Sequence, residues 1–276
     1  MGTTERIRLI AFDLDGTVLN SQKEVSPRTR EAIGKAKATG IYIVPATGRQ
    51  FNDVHPLLKD LADPYVIANN GAQLFSVPGG SLVFSRNFEK DAALSLLREI
   101  RNFDALIFGA YDTVGFFDNR GKGFESGVAE RMIQSRWKNN YPLRDIETEI
   151  RNGENFIKLV MLFENIAERE RAYGTLAPRK DLYVTFFAED NIELMPAGIS
   201  KGEALKTAAA KLGIPMTEVM AIGDSDNDRE MIREAGIGVA MGNALDTVKA
   251  EADRITGFCD EDGAAAAIES VTGPVV

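Results

Sequence analysis

Residues 8–17 read RLIAFDLDGT, a short apolar run that ends abruptly in two aspartates and a glycine. The run Leu9–Phe12 predicts a strand that is buried on both faces. Asp13 and Asp15 then leave its carboxyl end on the same side, about 6.6 Å apart along the chain. Two like charges that close are costly unless a cation or a shared proton lies between them. Because open α/β sheets bind ligands at the carboxyl ends of their strands, we expect an acidic, metal-dependent active site here.

The residues that follow alternate between helical and strand patterns. Ser26-Pro27 is a good helix start, and that helix is predicted to run to about Thr39. Ile41–Val44 predicts a second strand, Phe51–Leu61 a helix and Tyr65–Ala68 a third strand. Strand, helix, strand, helix, strand is typical of an α/β protein with a Rossmann-like, doubly wound parallel sheet.

The middle of the chain has a different pattern. Paired strands with grouped helices, one of them at Phe124–Trp137, predict an α+β unit. The doubly wound pattern resumes with a strand at Ile192–Met195, so the α+β unit is inserted rather than appended. We therefore predict a catalytic core formed by residues 1–86 and 188–276, with an inserted α+β cap at residues 87–187.

Composition bounds the cellular setting. The 276 residues are 44% hydrophobic, as in soluble globular proteins, and the net charge of −9 argues against nucleic-acid or anionic membrane partners. Cys259 is the only cysteine, so no intrachain disulfide can form, which fits a reducing compartment. No apolar run approaches the ~20 residues of a transmembrane helix, and charges interrupt any signal-peptide core. We expect a cytoplasmic protein that is a monomer or a small homo-oligomer.

The single histidine, His55, limits the chemistry. One histidine, on a predicted helix, argues against a Ser-His-Asp or Cys-His catalytic arrangement and against a His-rich zinc site. Any general acid or base is therefore expected to be a carboxylate.

Four polar groups fall at the ends of predicted elements, and three of them follow predicted parallel strands. The fold would bring these to one sheet edge, while the fourth begins a helix, where free N–H groups favour an anion. Oxygen ligands of this kind suit Mg²⁺ paired with phosphate oxygens. The groups are Asp13, Asp15 and Thr17 after the first strand, Thr47 after the second, Lys201 at a helix start, and the run Asp224–Asp228 after a late strand.

This set has what phosphoryl transfer requires. An aspartate is ionised at neutral pH, with a reference pKa of about 3.9, and can attack phosphorus without a base to activate it. Mg²⁺ offsets the repulsion between that carboxylate and the phosphate. Thr and Lys donors stabilise the equatorial oxygens, and a second carboxylate can protonate the leaving alcohol and then activate water.

Four motifs in order resemble those of the haloacid dehalogenase superfamily, and the whole resembles its Cof-type branch with a type IIB cap. The similarity covers residues 7–85 and 190–270, while the middle resembles the family only in size and position. The motifs are Asp13-Leu14-Asp15-Gly16-Thr17, Ala46-Thr47-Gly48-Arg49, Ser200-Lys201-Gly202 and Gly223-Asp224-Ser225-Asp226-Asn227-Asp228.

The resemblance implies a role for each matching residue. Asp13 would be the nucleophile, and Asp15 the general acid/base that also lends its backbone carbonyl to Mg²⁺. Thr47 and Lys201 would hold the phosphoryl group, and Lys201 would also orient Asp13. The phosphate site would be completed by Gly48, Arg49 and Asn227, and the metal site by Asp13, Asp15, Asp224 and Asp228.

Some assignments have plainer alternatives. Thr47 could simply cap the following helix, and Arg49 could pair with a nearby acid instead of substrate. Asp226 lies outside the family pattern and is left out of the site. A calcium loop at Asp224 is excluded, because Arg229 stands where such a loop needs glycine.

The sequence thus predicts Mg²⁺-dependent hydrolysis of small phosphate monoesters, such as sugar phosphates or phosphorylated cofactors, through an aspartyl-phosphate. Two alternatives stay open. One is a phosphomutase that uses the same site, and the other is a regulator that binds a phosphorylated metabolite without turnover.

Overall fold

The computed structural model describes residues 7–58, 60–111, 114–133, 141–186 and 188–272. The strands are β1 (Leu9–Phe12), β2 (Tyr42–Pro45), β3 (Tyr65–Ala68), β4 (Gln73–Ser76), β5 (Ser81–Ser85), β6 (Leu106–Tyr111), β7 (Val114–Asp118), β8 (Leu143–Arg144), β9 (Phe156–Leu162), β10 (Leu182–Thr185), β11 (Asn191–Pro196), β12 (Val219–Gly223), β13 (Ile237–Ala240) and β14 (Arg254–Ile255). The helices are α1 (Pro27–Ala38), α2 (Phe51–Leu58), α3 (Lys90–Ile100), α4 (Lys122–Glu125), α5 (Val128–Met132), α6 (Ile146–Arg151), α7 (Ile166–Leu176), α8 (Lys201–Lys211), α9 (Arg229–Glu234), α10 (Asp246–Lys249) and α11 (Gly263–Thr272).

The described residues divide into two compact units. The first unit contains the residues up to Phe84 together with those from Ser200 onward, and the second unit is Ser85–Ile199. Each unit has its own cluster of buried hydrophobic side chains.

A parallel sheet organises the first unit. In the described part of the chain its order is β14-β13-β12-β1-β2, and each neighbouring pair is parallel. Every residue of β1 is fully buried, as the uninterrupted apolar run predicts. The predicted α/β, doubly wound core is therefore confirmed, and the carboxyl ends of β1, β2 and β12 meet at one edge.

The third predicted strand does not extend this sheet as expected. β3 pairs antiparallel with β4, and β5 lies on the other side of β4. Two isolated bridges lie beside β2 in the described residues: an antiparallel one between Ile43 and Asp63, which precedes β3, and a parallel one between Ala46, which follows β2, and Ile67 of β3. A tight turn at Asn69–Gly71 reverses the chain at once, which gives β3 its antiparallel partner β4.

The second unit is α+β, as the sequence predicts. Its described strands form a mainly antiparallel sheet in the order β10-β11-β9-β6-β7-β8. Side chains from α3, α6 and α7 pack with alternate residues of β9, including Leu159 and Met161, in one apolar cluster.

The boundary of the inserted unit was predicted wrongly at its C-terminal end. β11 pairs with β9 and β10, so the second unit extends to Ile199 rather than to residue 187. Ile192 and Leu194 complete the apolar cluster of the second unit. A short apolar run has the same local pattern in either unit, and only its strand partners decide where it belongs.

The single helix predicted at Phe124–Trp137 is also wrong. Two short helices, α4 and α5, occupy its first part, and Gly127 between them has a left-handed φ of 78°. Residues 134–137 of that prediction lie outside the described residues. Among the helices of the described ranges, none combines the length and apolar character that a membrane span needs.

Candidate active site

Asp13 follows β1 directly and is held by the sheet. Its backbone N–H donates to the carbonyl of Ile222 on β12, which continues the β1–β12 ladder by one residue. Gly16, with φ of 81°, turns the chain so tightly that a Cβ there would lie 2.6 Å from Asp224 Oδ2. The strand end and the turn therefore bring the first and last acidic motifs together.

Lys201 is the centre of the site. Ser200 caps α8 by accepting the N–H of Glu203, which places Lys201 at the first helical position. The Lys201 Nζ lies 2.6 Å from Asp13 Oδ1 and 2.6 Å from Asp228 Oδ1. Its side chain is only 1% exposed, so this ammonium is a buried bridge between two carboxylates.

Asp224 and Asp228 are positioned by the turn after β12. Asp228 Oδ2 accepts the N–H groups of Asp224 and Ser225, at 2.9 and 3.0 Å, and Ser225 forms a capping box with it. Asp224 accepts hydrogen bonds from Thr17 Oγ1 at 2.8 Å and from Ser225 Oγ at 3.2 Å. Both carboxylates are thus fixed in orientation by hydrogen bonds, from the turn itself and from Thr17.

The burial of these groups changes their protonation. Burial, together with the nearby Asp228 and Asp224, raises the pKa of Asp13 to about 8, although Lys201 opposes the shift. Burial and Asp228 raise the pKa of Asp224 to about 6, against the hydrogen bond from Thr17. Burial disfavours a charged Lys201, but Asp13 and Asp228 overcome it and raise the lysine pKa. The site has more negative charge than one ammonium can balance.

That excess charge fits a divalent cation. Among the described residues, Asp13, Asp224 and Asp228 each offer a carboxylate oxygen, and these oxygens lie within 4.8 Å of one another. Hard oxygen donors at this spacing suit a small hard cation such as Mg²⁺. The donor set therefore fits the metal that the sequence predicts.

The Asp15 carboxylate contacts Arg49 and Lys23 rather than the Lys201 cluster. Its two carboxylate oxygens accept a pair of hydrogen bonds from Arg49, with Nε 2.6 Å from Oδ2, and Lys23 Nζ lies 2.9 Å from Oδ1. Burial alone would raise the pKa of Asp15, but the two cations outweigh it and hold that pKa below its usual value. Of the two interpretations of Arg49, this structure shows the pairing with an acid.

Thr47 and Gly48 follow β2 at the same sheet edge. The N–H of Thr47 donates to the carbonyl of Ile67, and its Oγ1 accepts the N–H of Arg49 at 3.1 Å. The following helix begins at Phe51, so this bond is a local turn and not the helix cap that the sequence analysis considers. Thr47 is 1% exposed. A Cβ on Gly48 would lie 2.8 Å from Asn70 Oδ1, so this position admits no side chain without a shift of its neighbour.

Asn227 lies beside the same asparagine. Its Nδ2 donates to Asn70 Oδ1 at 2.8 Å. Lys23 and Asn70 are site neighbours to which the sequence analysis assigns no role. The Asn-Asn-Gly sequence after the third strand was a usable signal for Asn70, whereas nothing in the local sequence distinguishes Lys23 from other exposed lysines.

The structure brings Asp13, Lys201, Asp224 and Asp228 into one cluster at the carboxyl edge of the sheet, with a carboxylate-bound arginine beside it. Together with the fold, this cluster indicates an α/β hydrolase whose carboxylates are arranged in a way compatible with a divalent metal. The profile of the haloacid dehalogenase-like hydrolases matches residues 10–268, and the chain belongs to that family, as a phosphatase.

Related proteins agree with this assignment. The 5-amino-6-(5-phospho-D-ribitylamino)uracil phosphatase YcsE of Bacillus subtilis is 34% identical over 263 residues, which cover 95% of this chain and 94% of YcsE. The HMP-PP phosphatase of Cronobacter sakazakii is 29% identical, over 94% of this chain and 93% of its own. BT1666, a phosphatase of the same superfamily from Bacteroides thetaiotaomicron, superposes with a TM-score of 0.84 at 29% identity, covering 97% of this chain and 96% of its own.

Proposed function

We propose that this phosphatase hydrolyses monophosphate esters of small metabolites, of the sugar-phosphate or phosphorylated-cofactor class, with Mg²⁺ as its metal. The observation that carries the proposal is the buried contact of Lys201 with Asp13 and Asp228 beside Asp224. The substrate class is supported by YcsE, which acts on 5-amino-6-(5-phospho-D-ribitylamino)uracil, a small phosphorylated compound.

In this proposal the metal is held by the carboxylates of Asp13, Asp224 and Asp228 and by the backbone carbonyl of Asp15. When bound, Mg²⁺ supplies positive charge that offsets the repulsion between the attacking carboxylate and the phosphate. Lys201 supplies one further positive charge and holds Asp13 in a single orientation. Without a metal, burial favours the protonated, non-nucleophilic form of Asp13, because its pKa is raised to about 8.

The reaction then divides into two displacements at phosphorus. A carboxylate oxygen of Asp13 forms a bond to phosphorus while the bond to the ester oxygen breaks, and Asp15 gives its proton to that leaving oxygen. Asp15, now a base, takes a proton from water, whose oxygen attacks the aspartyl-phosphate. Inorganic phosphate leaves and the Asp13 carboxylate is regenerated. Thr47 and Lys201 donate hydrogen bonds to the phosphoryl oxygens in both steps.

The test is phosphate release from a panel of phosphorylated metabolites, with Mg²⁺ and with a chelator. Asp13→Asn removes the nucleophile, and we expect a loss of about a thousandfold or more. Asp226→Asn is the matched control, because Asp226 lies in the same acidic loop but pairs outward with Arg229. Its activity should stay within about twofold of the wild type.

Other results would point elsewhere. An isomeric sugar phosphate in place of free phosphate would identify a phosphomutase. Stabilisation by a phosphorylated metabolite with no turnover would identify a binding regulator. Activity that survives Asp13→Asn would overturn the proposed mechanism.

A further inference from the structure

The turn between β3 and β4 has an uncommon backbone. Asn69, Asn70 and Gly71 have φ values of 50°, 54° and 97°, all in the left-handed region. Residues other than glycine rarely adopt this backbone conformation, and it persists only where the surrounding structure imposes it. Asn69 and Asn70 are also fully buried, although buried amides are costly unless hydrogen-bonded.

Asn70 joins two of the site's loops through its own hydrogen bonds. Its backbone N–H donates to the carbonyl of Thr47 at 2.9 Å, which fixes the loop after β2. Its side-chain Oδ1 accepts a hydrogen bond at 2.8 Å from Nδ2 of Asn227, a residue in the loop after β12, and so orients that side chain. The same oxygen occupies the space that a Cβ on Gly48 would need.

Asn227 depends on this contact for its orientation. Its other amide atom, Oδ1, is buried without a hydrogen-bond partner anywhere in the described ranges. Asn70 therefore fixes the orientation of the Asn227 amide, and its bond uses only one of the two N–H donors on Nδ2, so the other can donate to a phosphoryl oxygen.

The turn also supports the third motif. A Cβ on Gly71 would lie 2.0 Å from the carbonyl oxygen of Ser200, so the turn is packed directly against the residue that caps α8. Lys201 follows that residue. The Asn69–Gly71 turn therefore contacts the segments that carry Thr47, Lys201 and Asn227. None of these three contacts is made to Asp13, Asp224 or Asp228.

We propose that Asn70 is a positioning residue for phosphoryl binding, one that acts through Thr47, Gly48 and Asn227 rather than by touching substrate. The inference rests on the proposed phosphatase function and adds to it a residue outside the four motifs. It separates two parts of the site: Asn70 supports the phosphoryl-binding loops, and the aspartate cluster holds the metal independently of it.

Asn70→Gly tests this, because glycine keeps the left-handed backbone and removes only the amide. We expect kcat/KM for para-nitrophenyl phosphate to fall by about tenfold or more, and inhibition by inorganic phosphate to weaken by a similar factor. The dissociation constant for Mg²⁺, measured by calorimetry on the metal-free protein, should stay within about twofold, because the two hydrogen bonds described for Asn70 run to Thr47 and Asn227, neither of which is a proposed metal ligand. A merely structural defect would weaken metal and phosphate binding together.

Asn69→Gly is the matched control. It removes a buried amide at the adjacent left-handed position, where the side chain bonds Gln73 instead of the site. Its stability loss should be comparable, but phosphate inhibition and kcat/KM should stay within about threefold of the wild type. Equal effects of the two variants on phosphate binding would overturn the proposal.

A double-mutant cycle with Asn227→Ala gives a second test. If Asn70 acts through Asn227, the double variant should lose little more than the worse single variant, whereas fully additive losses would contradict the proposal. If Asn70→Gly does not fold, Gly48→Ala takes its place, since the added methyl group would displace the Asn70 amide from the other side. A wild type that releases no phosphate refutes the proposed function, whereas an active wild type with an unimpaired Asn70→Gly refutes only the role of Asn70.

Discussion

Arg49 binds Asp15 with two hydrogen bonds, one to each carboxylate oxygen, and Lys23 contacts Oδ1 of the same carboxylate. The residue proposed to protonate the leaving group is therefore held in its ionised form by two cations. An ionised Asp15 is ready to act as a base but not as an acid. We infer that donation of a proton by Asp15 requires at least one of these contacts to loosen when substrate binds.

Lys23 offers a direct test of this relationship. Lys23→Met removes one cation from Asp15, so the pKa of Asp15 should rise and the alkaline limb of the pH–kcat profile should move to higher pH. Lys23→Arg keeps the charge and should leave the limb in place. Because the lysine side chain is 61% exposed, high salt should shrink the difference between the two variants. An unchanged limb in Lys23→Met at low salt would refute the coupling.

Lys201 should stabilise the metal-free fold as well as the reaction. Lys201→Met leaves Asp13 and Asp228 buried without their shared cation, and we expect a loss of about 3 kcal/mol in the free energy of unfolding. Lys206→Met is the control on the same helix, because Lys206 pairs with Glu203 and Glu234 while partly exposed. Its loss should stay below about 1 kcal/mol. Urea unfolding in the presence of a chelator measures both variants.

The stability of the metal-free protein should fall as the pH rises. Folding raises the pKa of Asp13 from 3.8 to about 8 and that of Asp224 to about 6. Between the unfolded and folded values, the folded protein binds more protons than the unfolded chain, so each step up in pH lowers the free energy of unfolding. This loss of stability is complete once the pH exceeds the pKa of about 8 that Asp13 has in the folded protein.

Mg²⁺ should offset this loss of stability at higher pH, because its binding requires the ionised carboxylates and releases their protons. Thermal unfolding from pH 5 to 8 should therefore show a melting temperature that declines in a chelator and a stabilisation by Mg²⁺ that grows with pH. Asp13→Asn should flatten most of the decline. A melting temperature that rises with pH in the metal-free wild type would contradict the assigned shifts.

A side chain at Gly16 should disturb the metal site directly, in addition to straining the backbone. Gly16→Ala strains a φ of 81° and also places a methyl carbon 2.6 Å from Asp224 Oδ2. Gly40→Ala strains a nearly identical φ of 84°, but no heavy atom lies within 4 Å of the added carbon. Both variants should lose about 1 kcal/mol of stability from the backbone. Only Gly16→Ala should weaken Mg²⁺ binding, by about tenfold or more, as isothermal titration would show.

The local pattern predicted most of the elements well. The apolar run of β1, the Ser26-Pro27 helix start and the Ser200 cap depend on neighbouring residues, and each is found where the sequence places it. The two wrong sheet assignments have the same cause. β3 and β11 were recognised as strands but assigned to the wrong sheet, because the same short apolar run can pair with several partners.

The sequence by itself determined which side chains lie at strand and helix ends, because strand alternation and helix capping act over a few residues. Only the tertiary structure decided that Lys201 contacts Asp13, which is 188 positions away, that Arg49 pairs with Asp15, and that Asn70 holds Asn227. Those contacts depend on strand order and on the close approach of loops at glycines. Such approach is decided by the packing of the whole unit and has no signature in local periodicity.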